Sequence, residues 1–562
     1  MYFKFRVKIP EIAGKIVIQK KSGSLYVDYV YERAYDKSKG YTVAKRSTIG
    51  KICNDDEAMM IPNQNYFRFF PDAEIPEESE KTERSSCIRS GAYIVIKKII
   101  QDYKLEEYLG KFFSEKDTGL FLDLAAYSII SENNAGQYYP NYAYNHALFT
   151  QKMKVYNDSK VSEFLSSVTD DQSIGFLNAW NEKRDHREKI YISYDSTNKN
   201  CQAGDIEMVE YGHAKDPKGL PIFNYAIAYD TCNSEPLFYE KYPGSINDVA
   251  QLQFMLDKAC GYGYKKIGFI LDRGYFSKIN ITTMDRCGYD FVIMAKGMSE
   301  LVSSLIMNNR NTFEEEWKNY IPEYDVQGIT VKSRLYADDK KDRYFHLYYK
   351  DSKNTTESRL LRHKIIQMRN YLELHANEKR VFGPNFEKYF SLHYKDDVFL
   401  MAEPKNEVIT REIRLCGYFV IITSKAMTAA EAIGLYKSRD ASEKLFRGDK
   451  SYLGNKSLRV YDDDSASAKI FLEFIALIIR NRIYSCLKAE NQKLTSKQNY
   501  MTVPAAIMEL EKIELTRQSD NIYRLDHAVS ATQKTILNAF GMDADDIRSE
   551  SVVISKMLEQ KQ

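Results

Sequence analysis

The eight residues KKIGFILD, Lys265 to Asp272, constrain the fold more than any other stretch of this 562-residue chain. Ile267 to Leu271 form an unbroken apolar run of strand length, and a strand without a polar face has to be covered on both sides. Strands of that kind belong to α/β sheets with helices packed above and below. Arg273-Gly274 then turns the chain toward a helix. In an open α/β sheet the residues just past a strand's carboxyl end line the ligand crevice. Asp272 is therefore a candidate site residue, with helix capping as its competing role.

A second carboxylate stands in a similar place. In KIYISYD, Ile190, Ile192 and Tyr194 alternate with Tyr191, Ser193 and Asp195, the period of a half-buried strand. The pattern predicts a strand ending near Asp195, with the acid on the face opposite the two isoleucines; an Asx-turn into Ser196 and Thr197 is the alternative. The third feature is LYKSRDASEKLFRGDK, in which Tyr436, Arg439, Glu443 and Lys450 follow Y-x2-R-x3-E-x6-K. Steps of three, four and seven return to one side of an α-helix. An exposed helix laced with ion pairs would read the same way. Two further acids at strand ends favour a different purpose, because two divalent ions and a phosphate diester need hard carboxylate oxygens with cations beside them. Asp195, Asp272 and Glu443 are the candidate metal ligands, and Tyr436, Arg439 and Lys450 the candidate phosphate contacts.

These residues resemble the DDE transposases of bacterial insertion sequences, in the branch whose third acid lies in a Y-x2-R-x3-E-x6-K signature. The order YDST, GHAKD (Gly212 to Asp216), LFYEKYPGSIND (Leu237 to Asp248), LDRGYF (Leu271 to Phe276) and the signature itself carries the likeness, over about residues 186 to 490. The resemblance implies an α/β, RNase H-like catalytic core, a mixed sheet flanked by helices, interrupted by a mostly β insertion domain. It implies DNA strand cleavage and strand transfer at insertion-sequence ends. Two Mg2+ ions, replaceable by Mn2+, would be held by Asp195, Asp272 and Glu443. The partners would be double-stranded DNA, as terminal inverted repeats and target, and a second copy of the chain in a synaptic homodimer; no nucleotide cofactor is implied. A nuclease without joining activity and a domesticated, non-catalytic DNA-binding protein are the alternatives. Gly448, between Glu443 and Lys450, is a residue type that ends helices.

The expected organisation is a β-rich module at 1–75 containing a lysine-rich hairpin, KSKGYTVAKRSTIGK, which is either a DNA-contacting module or a small sheet with a solvated basic rim, then a polar linker and a helical region at 88–185 that could bind end DNA or form a bundle core. The core occupies 186–296 and 415–490, an insertion domain 297–414, and a helical tail 491–562. Asp272 and Glu443 are 171 residues apart, against 77 from Asp195 to Asp272, which is what requires the insertion. Within it lie the basic residues Arg359, Arg362, Lys364 and Arg369, and Trp317, which is a candidate for stacking on a base or for anchoring the insert's packing. Helices are predicted from Gly91 with a stop near Gly110, after Thr118, and from Ile174 behind a Thr169/Gln172 capping box.

Other classes find little support. The eight cysteines contain no C-x2-C pair, and the eight histidines no H-E-x2-H or H-x3-H spacing. A disulfide framework, a zinc finger and a zinc hydrolase are thereby disfavoured. No G-x4-G-K-[ST] run suggests ATP use. The charged start MYFKFRVKIPEIAGK lacks a signal-peptide core, and Ile470 to Ile479 is too short to cross a bilayer. A reducing cytosol fits these absences, and the resemblance implies a bacterial cytoplasm, with the protein at the nucleoid when working. The net charge of +2 gives no overall cationic field, so any contact with DNA depends on local basic patches.

Overall fold

Ile267–Leu271 is a strand whose five residues are all buried, and the sheet around it is the main architectural element of the protein. The computed structural model describes residues 2–3, 5–21, 23–53, 56–73, 84–183, 189–201, 206–211, 220–246, 248–295, 300–339, 341–453, 457–518 and 522–559. The chain divides into two compact units, one of Met1–Phe176, Asp449–Asn455 and Asp464–Gln562, the other of Leu177–Gly448 and Lys456–Asp463.

The second unit carries a nine-stranded sheet. Its strands, in chain order, are β1 (Ile190–Asn200), β2 (Ile222–Asp230), β3 (Glu235–Pro243), β4 (Ile267–Leu271), β5 (Asp290–Met294), β6 (Tyr320–Ile321), β7 (Val326–Arg334), β8 (Asp342–Tyr349) and β9 (Tyr418–Thr423). Their spatial order is β6-β7-β8-β9-β5-β4-β1-β2-β3. Within it β1, β4 and β5 run parallel, and every other neighbouring pair is antiparallel. Gly268 on β4 lies opposite Tyr191 on β1, and a Cβ at that position would overlap the Tyr191 ring, so the glycine is what lets the ring lie across the sheet.

Two of the expected strand boundaries shift. β1 does not end at Asp195 but runs on to Asn200, because β2 continues to pair with it from Asp195↔Ile227 to Asn200↔Ile222. Residues 320–349 do not form a separate domain. Their strands extend the main sheet, Tyr344 to Tyr349 pairing with Thr423 to Tyr418 of β9. What remains of the expected insertion is a 24-residue helix, Asp351–Leu374, with a two-stranded hairpin, Phe390–Lys395 and Val398–Pro404, flanked by two shorter helices. These close over their own small core of Met368, Leu372, Phe382, Phe390 and Phe399. The basic residues Arg359, Arg362, Lys364 and Arg369 are exposed on the long helix.

In the first unit, a five-stranded antiparallel sheet is formed in the order Val7–Lys8, Met59–Pro62, Tyr41–Ile52, Ser24–Asp36, Ile16–Lys21, around Val27, Ile49, Ile52 and Met60. Helices follow from Gly91. The first ends at Asp102, where Lys104 takes a left-handed φ of 55°, and Gly110 ends the short helix Leu105–Leu109 instead. The next starts at Glu115, ahead of Thr118, because Ser114 caps it by accepting from the Asp117 amide. Thr169 and Gln172 exchange both capping-box bonds, and the helix begins at Asp170. The C-terminal segment is not purely helical: Glu514–Arg517 pairs with Cys87–Arg89 and Tyr523–Leu525 in a three-stranded sheet. All eight cysteines are free. Among the described residues no helix is long and apolar enough to cross a membrane.

Candidate functional site

Register brings the first two acids together. In the parallel pair of β1 and β4, Leu271 lies opposite Tyr194, so the next residue on each strand, Asp272 and Asp195, stands side by side where β4 ends. Neighbouring strands are about 4.8 Å apart. The Tyr194 and Tyr275 rings, one residue before Asp195 and three after Asp272, pack at 5.4 Å and tie the two segments together. Each carboxylate accepts from the amide that follows it, Asp195 Oδ1 from Ser196 at 2.9 Å and Asp272 Oδ1 from Arg273 at 2.8 Å. Asp272 thus does cap the short helical turn Arg273–Tyr275, and does so with one oxygen only. Capping and site membership are compatible.

The third acid arrives on two consecutive helices, α1 (Ala429–Lys437) and α2 (Asp440–Arg447). Thr428 and Glu431 form a capping box that starts α1. Ala429, Ile433 and Tyr436, spaced to share one face, pack on Ile270, Val292, Tyr348 and Ile421 of the sheet. Burying that stripe fixes where α1 ends relative to β4. Ser438 and Arg439 interrupt the helix, and α2 presents Glu443 one turn beyond Arg439. At Gly448 the α-helix gives way to a π-turn, Gly448–Tyr452, which contains Lys450. A π-turn changes the angular phase, so Lys450 does not continue the α-helical stripe of the other three. It also belongs to the first compact unit, whereas the acids belong to the second.

Arg439 is the centre of the constellation. Its Nη1 lies 3.9 Å from Asp195 Oδ2 and 4.0 Å from Asp272 Oδ2, and its Nη2 donates to Glu443 Oε1 at 2.5 Å. Its side chain is only 14% exposed, and the guanidinium lies 5.6 Å from the Tyr436 ring centroid. Burial works against the charge, but the Tyr436 phenol, Asp272, Asp195 and Glu443 outweigh it and hold the guanidinium above its usual pKa. Tyr436 is buried. Its hydroxyl donates to Asp272 Oδ1 at 3.4 Å, and burial pushes the phenol up to about 12, with Arg439 opposing the rise and Asp272 adding to it. The phenol is therefore a positioning group for Asp272.

The donor chemistry suits a hard divalent cation: three carboxylates converge on one positive group, two of them with an oxygen anchored by backbone and the other turned inward. The gathering is around a guanidinium, however. Among the described residues no group of three or more His, Cys, Asp or Glu side chains is set to hold a metal ion. Trp317 lies away from any core. It is 81% exposed at the start of a 3-10 turn and touches Tyr320 at 5.4 Å. The packing anchor is the other tryptophan, Trp180, which is fully buried and donates to the Pro236 carbonyl at 3.1 Å. GHAKD lies outside the described residues.

One residue escaped the sequence reasoning. Lys199, on β1 beyond Asp195, is fully buried with its ammonium 4.4 Å from the Tyr225 ring centroid. The signal available was a period-2 continuation through Asp195, Thr197 and Lys199, all polar and so without the apolar alternation that marks a strand.

A family model described as the transposase DDE domain matches residues 191–479. The chain belongs to this family. The match spans β1 with Asp195, β4 with Asp272, and α1 and α2 with the signature residues, so the acids described above all fall inside the DDE domain. DDE transposases act on DNA and generally use divalent metal ions. No curated protein matches the chain.

Proposed function

We propose that this DDE-family protein cleaves and joins DNA strands at the ends of an insertion sequence, with Asp195, Asp272 and Glu443 as its catalytic acids. The observation that carries the reading is the convergence of all three on the Arg439 guanidinium, each within 4.0 Å. Carboxylates so far apart in sequence have no structural need to meet; a site that binds positive charge explains why they do. The strand order β3-β2-β1-β4-β5, with β1, β4 and β5 parallel, supports an RNase H-like core.

When bound, a pair of Mg2+ ions would supply Lewis acidity to the entering and leaving oxygens of an in-line displacement at phosphorus. Asp195 and Asp272, fixed by the parallel register of β1 and β4, would hold them from the sheet, and Glu443 from α2. Tyr436 keeps Asp272 oriented. Arg439 neutralises the acids in the free chain and, once cations occupy that place, is free to turn to a phosphate of the cut strand. Lys450 is a second phosphate contact and Trp317, exposed and aromatic, a base-stacking residue. Double-stranded DNA is the substrate, a homodimer pairs the two ends, and the working place is the bacterial nucleoid.

Asp195→Asn, Asp272→Asn and Glu443→Gln should each abolish Mg2+-dependent nicking of end-containing duplex while leaving its binding largely intact. Cleavage retained by all three variants would reject the assignment. A strand-transfer assay on pre-cut ends separates a transposase from a nuclease that does not join.

A further inference from the structure

The two long strands of the N-terminal sheet outrun their neighbours. Of the first long strand only Ser24 to Tyr29 pair with Ile16–Lys21, and of the second only Gly50 to Ile52 pair with Met59–Pro62. Beyond them, Glu32 to Asp36 and Tyr41 to Lys45 pair with each other alone, as a two-stranded antiparallel ribbon closed by Lys37-Ser38-Lys39-Gly40, with Gly40 at φ 74°. Nearly every residue of this ribbon is exposed, including Tyr35 at 64% and Tyr41 at 58%. An exposed ribbon with both edges unpaired is an aggregation hazard unless something covers it or its charge protects it.

Its charge is the second observation. Residues 31–46 hold five cations, Arg33, Lys37, Lys39, Lys45 and Arg46, against two acids, Glu32 and Asp36, a net charge of +3 in a chain whose total is +2. The ribbon and the residue flanking each of its ends therefore carry more net charge than the whole protein. Both acids are already engaged within it, Glu32 with Lys45 at 3.0 Å and Asp36 with Lys39 at 3.7 Å. Among the described residues Lys37 and Arg46 have no acid within ion-pair distance. Ala34, Val43 and Ala44 keep the middle of the ribbon thin.

We infer that this ribbon enters the major groove of duplex DNA. That groove is about 12 Å wide and about 8.5 Å deep and admits a two-stranded ribbon. At about 3.4 Å per residue, the segment from Glu32 to Asp36 extends roughly 14 Å before its loop, more than the groove's depth. Lys37, Lys39 and Arg46 meet phosphates on the groove walls, and Tyr35 and Tyr41, on opposite faces, contact its floor and sugars. The inference rests on DNA being the substrate and adds where the protein grips it apart from the acids.

The test uses the full chain, a labelled 25-base-pair DNA duplex and an RNA duplex of the same length, with anisotropy followed over a range of salt. The triple variant Lys37→Ala, Lys39→Ala, Arg46→Ala should bind DNA at least tenfold more weakly and flatten the slope of log K against log salt by roughly 2.7, from about 0.9 per phosphate contact. The wild type should prefer DNA, since the A-form major groove is too narrow to enter. The pair Tyr35→Ser, Tyr41→Ser should weaken binding with the slope unchanged. All substituted side chains are at the surface, so an unchanged thermal midpoint shows that folding is not the cause. An unaltered slope in the triple variant, equal affinity for RNA, or loss of a dimer in sedimentation with DNA binding intact would overturn the inference. Asp195→Asn separates the two readings: cleavage retained by that variant with the ribbon effects present would remove the catalytic assignment alone.

Discussion

Replacing Arg439 by Gln should tighten divalent metal binding to the apo protein. Under the proposed assignment the guanidinium occupies the place a cation would take, 3.9 and 4.0 Å from Asp195 and Asp272 and hydrogen-bonded to Glu443. Glu443 is 52% and Asp272 39% exposed, so solvent screens both pairs and each counts as a partly exposed ion pair. At about 0.5 kcal/mol per pair, the three contacts that an incoming ion must displace sum to about 1.5 kcal/mol. That corresponds to roughly tenfold in affinity. Gln keeps most of the buried stem and removes the charge. The measurement is isothermal titration of Mn2+ into DNA-free protein at fixed ionic strength, wild type against Arg439→Gln, with Asp195→Asn as a control that should bind more weakly than either. Equal or weaker Mn2+ affinity in Arg439→Gln would refute the idea that the guanidinium stands in for a metal. It would leave the convergence of the acids without a cation-binding explanation.

Other expectations follow from the same geometry. Tyr436→Phe removes only the bond to Asp272 and should lower cleavage several-fold with little change in stability, whereas Tyr436→Ala empties a packed position under α1 and should cost about 3–5 kcal/mol in denaturant unfolding; equal stabilities of the two variants would contradict this packing. With its phenol pushed up to about 12, Tyr436 should contribute no break to a cleavage profile below pH 10, and a break there that vanishes in Tyr436→Phe would be the contrary result. His346 is fully buried, bonded at 2.9 Å to both Thr330 and Thr423, and desolvation lowers its pKa to about 4. The unfolded ring titrates near 6.5, so the unfolded chain binds the extra proton between those values. Stability should hold above about pH 6.5 and fall toward pH 4 by up to about 3 kcal/mol, and urea titrations of His346→Gln at pH 7 and 4.5 should show a smaller loss than wild type.

The elements that carry the candidate acids were legible because their determinants are local. The apolar run ending in Asp272 and the alternation leading to Asp195 marked two strands, and both acids lie where those strands meet. The i, i+4 step from Arg439 to Glu443 allowed an ion pair as the alternative to separate metal and phosphate roles, and the 2.5 Å bond is that pair. Where reading by period failed, the reason is physical in each instance. The continuation of β1 to Asn200 has no apolar alternation, because β2 and the layers around it bury polar residues there, among them Lys199. The single helical stripe from Tyr436 to Lys450 ignored a break at Ser438 and Arg439 and a π-turn after Gly448. Residues 320–349 show strand periods that say nothing about their partner, so their place beside β9 was out of reach.

The sequence by itself determined the kinds of element and the chemistry they carry: a doubly covered strand, a second strand with an acid on its far face, a helical run with alternating charge, and a ribbon rich in lysine and tyrosine. These depend on each residue's neighbours within a few positions, where side-chain period and backbone geometry are coupled. Tertiary structure alone decided that Asp195 and Asp272 stand abreast, that Arg439 lies among three acids, and that the ribbon projects beyond its sheet. Each of these is a matter of register or of where a partner strand stops, set by burial of residues far apart in the chain.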